Sequence, residues 1–183
     1  LEYQGKQLFA SHGVPVPEGR VADNVDDAVA AADEIGYPCV VKAQVLIGGR
    51  GKAGGVKVVK NGQEFTREAG RILGMDIRGH AVRKILITPA MEIDKEFYAG
   101  IVLDRKYETP LLMVSPAGGV DIEDVARQTP EKILRLHLDG RGLPAYRARA
   151  AARFLDPRPK VQKQLASVIA KLAKVYYSQD CSL

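Results

Sequence analysis

Apolar positions along the chain follow two periods, and the switches between them mark the elements. Leu1, Tyr3, Leu8 and Phe9 are spaced for a short amphipathic helix over residues 2–12, and Gly13 followed by Pro15 is a stop signal. Pro15 and Pro17 push the residues before them into extended conformations, so VPVPEGRVA reads as extended. Asn24 is placed as a helix N-cap, with Asp26 and Asp27 at the positive end of the dipole. Val25, Ala28, Val29, Ala32 and Ile35 then make one apolar stripe that Gly36 ends.

Residues 40–59, VVKAQVLIGGRGKAGGVKVV, break the helical period. An apolar run carrying Lys42 and Gln44 enters a segment containing Gly48, Gly49, Gly51, Gly54 and Gly55, and leaves through Val56, Val58 and Val59. The pattern predicts strand, glycine loop, strand. Beyond it, Asn61-Gly62 reads as a turn, and Phe65, Ala69, Ile72 and Leu73 line a helix closing at Gly74. Residues 84–88, KILIT, read as a strand leaving this lobe, with a hinge at Pro89.

Strict alternation over residues 95–105 predicts a second-lobe strand that pairs with residues 111–115 through a turn near Glu108. VDIEDVARQ is a short helix with an acidic first turn, residues 132–138 a further strand, and residues 145–155 a helix with Pro144 in its first turn. Residues 159–180 carry Val161, Leu165, Val168, Ile169, Leu172, Val175 and Tyr176 at helical steps. That helix runs into Cys181-Ser182-Leu183 without a cap, and a first residue of Leu suggests that the start is not shown, so the chain reads as a piece cut from a longer one. No repeat or low-complexity tract interrupts it.

Composition narrows the classes. With 183 residues, 46% hydrophobic and 27% charged, the chain suits one domain or two small lobes of a soluble protein. No apolar run approaches the ~20 residues of a membrane span and no leader precedes the first helix, so a cytoplasmic location is expected, or the mitochondrial matrix in a eukaryote. Cys39 and Cys181 lie in no CxxC or Cys/His cluster and read as incidental thiols. A net charge of +5 favours anionic partners, but the 27 basic residues are interleaved with 22 acidic ones, so neither nucleic acid nor a membrane is the expected partner.

The glycine loop carries the chemistry. Glycines admit positive φ and close ligand approach, successive amides form an anion-binding concavity, and Arg50 and Lys52 add cations, so a polyphosphate is the simplest partner. A solvated hairpin with a basic tip is the plainer alternative. GRGKAG fits G-x-G-x-x-G, but a strand rather than a helix follows it, and Ala53 stands where a P-loop requires Ser or Thr. Lys42, inside a strand that reads as buried, needs an anionic partner; otherwise it snorkels to solvent from an edge strand. Glu96, at the start of the second-lobe strand, is placed to accept ribose hydroxyls, or is a solvated surface acid. Glu92 and Asp94 form no acid/base pair by spacing. His12, His80 and His137 are isolated and read as surface or capping residues, and Ser115 lacks the setting of a nucleophile.

EYQGKQLF, VVKAQVLIGGRGKAGGVKVV, ILITPAMEIDKEFYAGIVLDR and SPAGGVDIEDVARQTP together resemble the β subunits of succinate–CoA ligases, which are ATP-grasp proteins, over nearly the whole chain. The resemblance implies an α/β ATP-grasp fold. Residues 19–90 would form a smaller lobe, and residues 1–18 with 91–183 the incomplete second. Lys42 would contact phosphate, and Gly49, Arg50 and Gly51 would form the flap, with Arg50 the catalytic cation. Residues 88–91, from Thr88 to Met91, would meet adenine through their backbone, and Glu96 would bind ribose. Thr88 stands where relatives usually carry Glu, and Pro17 resembles the ATP-preferring members. The implied reaction is ATP + succinate + CoA to ADP + phosphate + succinyl-CoA, through a phosphohistidine on a partner α subunit. Magnesium ligands would lie beyond Leu183, leaving these residues inactive alone. The alternatives are a ligase for malate or citrate, or a non-catalytic subunit-interaction module.

Overall fold

The computed structural model describes residues 1–140 and 142–180. They divide into two compact units: Leu1–Leu8 with Val16–Glu92, and Phe9–Pro15 with the chain from Ile93 onward. The sequence reading groups residues 1–8 with the second lobe; the structure packs them in the first unit, through contacts of Glu2 and Tyr3 described below.

The first unit begins with α1 (Glu2–Ser11), whose last residues belong to the second unit, and continues through β1 (Arg20–Ala22), α2 (Val25–Ile35), β2 (Cys39–Ala43), β3 (Val56–Val59) and α3 (Gly62–Leu73). A two-strand hairpin, β4 (Asp76–Ile77) and β5 (His80–Ala81), precedes β6 (Ile85–Pro89). The main sheet has the order β1-β6-β2-β3, every pair antiparallel. Alternation sorts it into faces. Cys39, Val41 and Ala43 are buried with Ile85 and Ile87 in the core that Ala28, Ala32, Phe65, Ala69 and Ile72 complete from α2 and α3. Burying each large aliphatic chain contributes about 1.5–3 kcal/mol, and a slip of one residue would drive Lys42 into that core and expel Val41. The register is therefore fixed by hydrophobicity.

The helix starts follow their side chains. Asn24 Oδ1 accepts the Asp27 amide at 2.9 Å, as expected. Asn61 and Gly62 depart from the expected turn: Asn61 Oδ1 accepts the Glu64 amide at 2.9 Å, making Asn61 an N-cap and Gly62 the first helical residue. An extended Asn followed three residues later by Glu is a capping pattern, and it outweighs the turn preference of Asn-Gly. β6 does not stop at Thr88, because Pro89 stands opposite Cys39 and the Ala90 amide donates to the Pro38 carbonyl.

The second unit contains β7 (Tyr98–Asp104), β8 (Thr109–Ser115), α4 (Ile122–Gln128), a 3₁₀ turn (Pro130–Lys132), β9 (Leu134–His137), α5 (Ala145–Leu155) and α6 (Pro159–Gln179). β7-β8-β9 form an antiparallel sheet, and Ile101, Leu112, Val114 and Leu138 pack against Ala151 and Leu155 of α5 and Ile169 and Ala173 of α6. The expected strand over residues 95–105 begins only at Tyr98, since Lys95 turns toward Asp156. Glu96 therefore precedes the strand instead of opening it. Likewise the strand expected over residues 132–138 starts at Leu134, after the 3₁₀ turn, and Pro144 occupies the N-cap of α5 rather than its first turn. The expected chain end at Cys181-Ser182-Leu183 lies outside the described residues. Among the described residues no helix is long and apolar enough to cross a membrane.

Candidate functional site

Lys42 lies on an interior strand, flanked in register by Leu86 of β6 and Val56 of β3, so the alternative of an edge-strand lysine does not hold. Its side chain points to the sheet face opposite the helical core. There its partner is Glu2, in the first turn of α1, whose Oε1 is 3.4 Å from Lys42 Nζ. Arg50 Nη1 lies 3.0 Å from Glu2 Oε2, and Lys6 Nζ 3.9 Å from Oε1. Three cations thus surround one carboxylate. The Lys6 pair is the longest of the three, at 3.9 Å against 3.4 and 3.0 Å, so Lys42 and Arg50 dominate the placement of Glu2.

The contacts are poorly matched. Glu2 Oε2 is buried and accepts no hydrogen bond, and Arg50 Nη1 donates instead to the Ala43 carbonyl at 2.9 Å. Burial alone would raise the Glu2 carboxyl, yet Lys42, Arg50 and Lys6 outweigh it and hold the group below its ordinary value. Lys6 is in turn pushed below the ordinary lysine range by burial and by Lys42. Gln44, expected beside Lys42, is buried and structural: its Oε1 accepts the Tyr3 amide at 3.2 Å and its Nε2 donates to the carbonyls of Lys42 and Ala43.

The glycine loop closes on itself. The Gly55 amide donates to the Arg50 carbonyl at 2.8 Å, the Ala53 amide to Gly49, and Gly49 and Gly54 take φ of 78° and 77°, which favours glycine there. A Cβ on Gly55 would come within 2.9 Å of Ile77 Cδ1 and 3.1 Å of Ala43 Cβ. Arg71 of α3 holds the far side, donating to the Gly54 carbonyl at 2.9 Å and to Glu68 Oε2 at 2.8 Å. That bond holds the buried Glu68 carboxyl below its ordinary value. Gly51 lies at the exposed tip. Arg78, in the β4–β5 turn at φ 54°, places its guanidinium beside Gly49. Sequence reasoning missed Glu2, Arg71 and Arg78; the Arg78-Gly79 turn signal was present for the last, whereas the first two are long-range contacts with no local signature.

Thr88 is 2% exposed and sits opposite Val40, while Met91, just beyond β6, is 63% exposed. Both belong to the first unit with Lys42, Gly49, Arg50 and Gly51. Glu96 belongs to the second. Its carboxylate lies against Gly119, at φ 69°, and a Cβ on Gly118 would stand 2.5 Å from the Glu96 carbonyl carbon and 2.6 Å from the Phe97 nitrogen. The glycine pair is thus the seat of Glu96.

Nearby in the second unit, Asp156 is 2% exposed and takes 2.9 Å bonds from the Arg158 backbone amide, Nε and Nη2, with Lys95 Nζ at 3.6 Å. Arg158 also reaches Asp94 at 3.0 Å. Arg158 holds the Asp156 carboxyl far below its ordinary range. Ser115 is fully buried and its Oγ accepts the Ala117 amide, a turn contact. His137 pairs with Asp104 at 2.9 Å, His12 meets Ser178 at 3.0 Å, and among the described residues no three His, Cys, Asp or Glu side chains gather to hold a metal ion.

A family model described as the ATP-grasp domain matches residues 1–183. Among the curated proteins the chain matches, the ADP-forming succinate–CoA ligase subunit beta of Natronomonas pharaonis is 44% identical over 182 residues, covering 99% of this chain and 48% of that protein. The protein of the same name from Halobacterium salinarum is 45% identical over 177 residues, covering 96% and 45%. The chain therefore spans about half the length of these curated relatives. Among solved structures, the dinucleotide forming acetyl-coenzyme A synthetase 1 of Ca. Korarchaeum cryptofilum, in complex with coenzyme A and Ca-AMPCP, aligns with a TM-score of 0.72 at 20% identity, over 94% of this chain and 78% of that one. That likeness is one of fold.

Proposed function

Because the chain belongs to the ATP-grasp family, we propose that it is the nucleotide-binding part of an ADP-forming succinate–CoA ligase β subunit. The observation that carries this reading is the convergence of Lys42 and Arg50, one from a strand and one from a glycine loop, on a single anionic position. Lys42 supplies a point charge to phosphate. The loop of Gly49, Arg50 and Gly51 supplies close backbone approach, and its closure excludes water. Arg50 offsets negative charge on the transferring phosphoryl group. Adenine is met by backbone groups of residues 88–91, a role that suits a Thr88 side chain already buried, and Glu96 accepts the ribose hydroxyls.

The phosphoryl group passes from ATP to a histidine of a partner α subunit and on to a carboxylate of succinate, and the CoA thiol displaces phosphate from the succinyl phosphate to give succinyl-CoA. The chain's own histidines take no part in this scheme. Magnesium, when bound, neutralises charge between the phosphates, and the described residues of this chain are assigned no ligand to it. The reading places the protein in the cytoplasm, or the mitochondrial matrix in a eukaryote.

Titration calorimetry with ATP tests the site. Wild type binds, and Lys42→Ala weakens binding at least a hundredfold while the circular dichroism spectrum is unchanged. Equal binding by the two proteins, or none by either, rejects the reading.

A further inference from the structure

The Glu2 carboxylate sits where two phosphate-binding cations converge, yet it satisfies neither. Its distance to Lys42 Nζ is 3.4 Å, long for a charge-assisted bond. Oε2 is buried without a hydrogen bond, while Arg50 directs one Nη1 proton to a backbone carbonyl. Lys6, at 3.9 Å, adds a third positive charge, so the cluster carries two more cations than anions. A triphosphate brings more charge and more acceptor oxygens than one carboxylate, and would match these cations better. Glu2 and its partners all lie within the first unit, so the exchange requires only side-chain and local α1 movement.

We infer that Glu2 is an internal stand-in for phosphate, holding Lys42 and Arg50 in place before ligand arrives and giving them up when phosphates bind. This rests on the nucleotide site proposed above and specifies the ligand class that displaces it, a polyphosphate chain. Before binding, the carboxylate keeps three cations from repelling one another. On binding it competes with the incoming phosphates, which lowers affinity and makes release of the product nucleotide easier.

The test is titration calorimetry at pH 7.5 with sodium tripolyphosphate and with ATP, on wild type, Glu2→Gln and, as an exposed acid lost from the second unit, Glu131→Gln. Glu2→Gln tightens both ligands about tenfold and Glu131→Gln changes neither by more than twofold. Unchanged or weaker binding by a folded Glu2→Gln protein overturns the inference, as does equal tightening in Glu131→Gln. A second measurement needs no variant: in wild type labelled with ¹³C-glutamate, the Glu2 carboxyl resonance shifts on saturation with tripolyphosphate, and an unmoved resonance overturns the exchange. Binding that depends on Lys42 but is not improved by Glu2→Gln leaves the nucleotide site standing and removes only the role of Glu2. Absence of binding in all three proteins removes both.

Discussion

Two clusters of charge, one in each unit, differ in how completely they are satisfied. Around Asp156 two acids face two bases, and Arg158 alone closes three 2.9 Å bonds onto one carboxylate. Around Glu2 one acid faces three bases at 3.0 to 3.9 Å, and one oxygen remains without a hydrogen bond. Saturated charge has nothing left to offer a ligand and serves the fold. Unsaturated charge, held beside a glycine loop, is receptive. The contrast separates the two clusters more cleanly than burial does, since both are partly enclosed.

The largest effect that would sharpen this contrast is expected from Asp156→Ala. Removing the acid leaves Arg158 and Lys95 facing each other without it, and breaking such a pair is far costlier than never having it. Thermal unfolding should fall by roughly 10 °C, while ATP affinity below the transition stays within twofold of wild type. A matching loss of affinity at full folding would break the comparison. The same carboxyl sets a pH dependence. Its folded-state value is depressed, so its stabilisation is complete above the ordinary aspartate range near pH 4 and drains away as pH falls below it. Urea titrations from pH 6 to pH 2 should show a steeper loss for wild type than for Asp156→Asn.

Gly118→Ala comes next. Its Cβ would lie 2.5 to 2.7 Å from backbone atoms of Glu96 and Phe97, so the backbone must move and Glu96 with it. Destabilisation of about 1–3 kcal/mol is expected, together with a several-fold loss of ATP affinity that tripolyphosphate, which lacks the nucleoside, does not share; equal losses for the two ligands would deny Glu96 a part in holding the nucleoside. The smallest effect on nucleotide binding is expected from Arg71→Met, which frees the Gly54 carbonyl from its 2.9 Å bond and leaves Glu68 with Arg67 alone. Amide exchange across residues 49–55 should quicken and ATP bind two- to fivefold more weakly, with stability lower by about 1–3 kcal/mol because the buried Glu68 also loses its 2.8 Å bond. Unchanged exchange would mean that the loop holds its shape by its own turns.

The sequence was most legible where a signal is local. The stripe from Val25 to Ile35, the Asn24 cap and the strand–glycine–strand pattern of residues 40–59 all rest on residues within one or two turns of each other, and each reappears in the structure. The demand that Lys42 find an anion was also legible, because an ammonium among buried valines requires one. The identity of that anion was not: Glu2 lies forty positions away and carries no pattern linking it to a strand. Asn61-Gly62 misled for a different reason, since one dipeptide suits both a turn and a helix start, and Glu64 decided between them. Glu96 misled because alternation continues through Lys95, whose side chain is drawn instead to Asp156.

β6, last of the first unit's strands in the chain, lies between β1 and β2, which are made long before it. As the polypeptide leaves the ribosome, the hairpin bearing Lys42 therefore waits with one margin bare until residue 89 has emerged. For that interval its Val-rich edge is open to any extended segment that reaches it, whether from a neighbouring nascent chain or from a chaperone. The position that makes Lys42 rigid in the finished protein also makes its strand among the last to be sheltered.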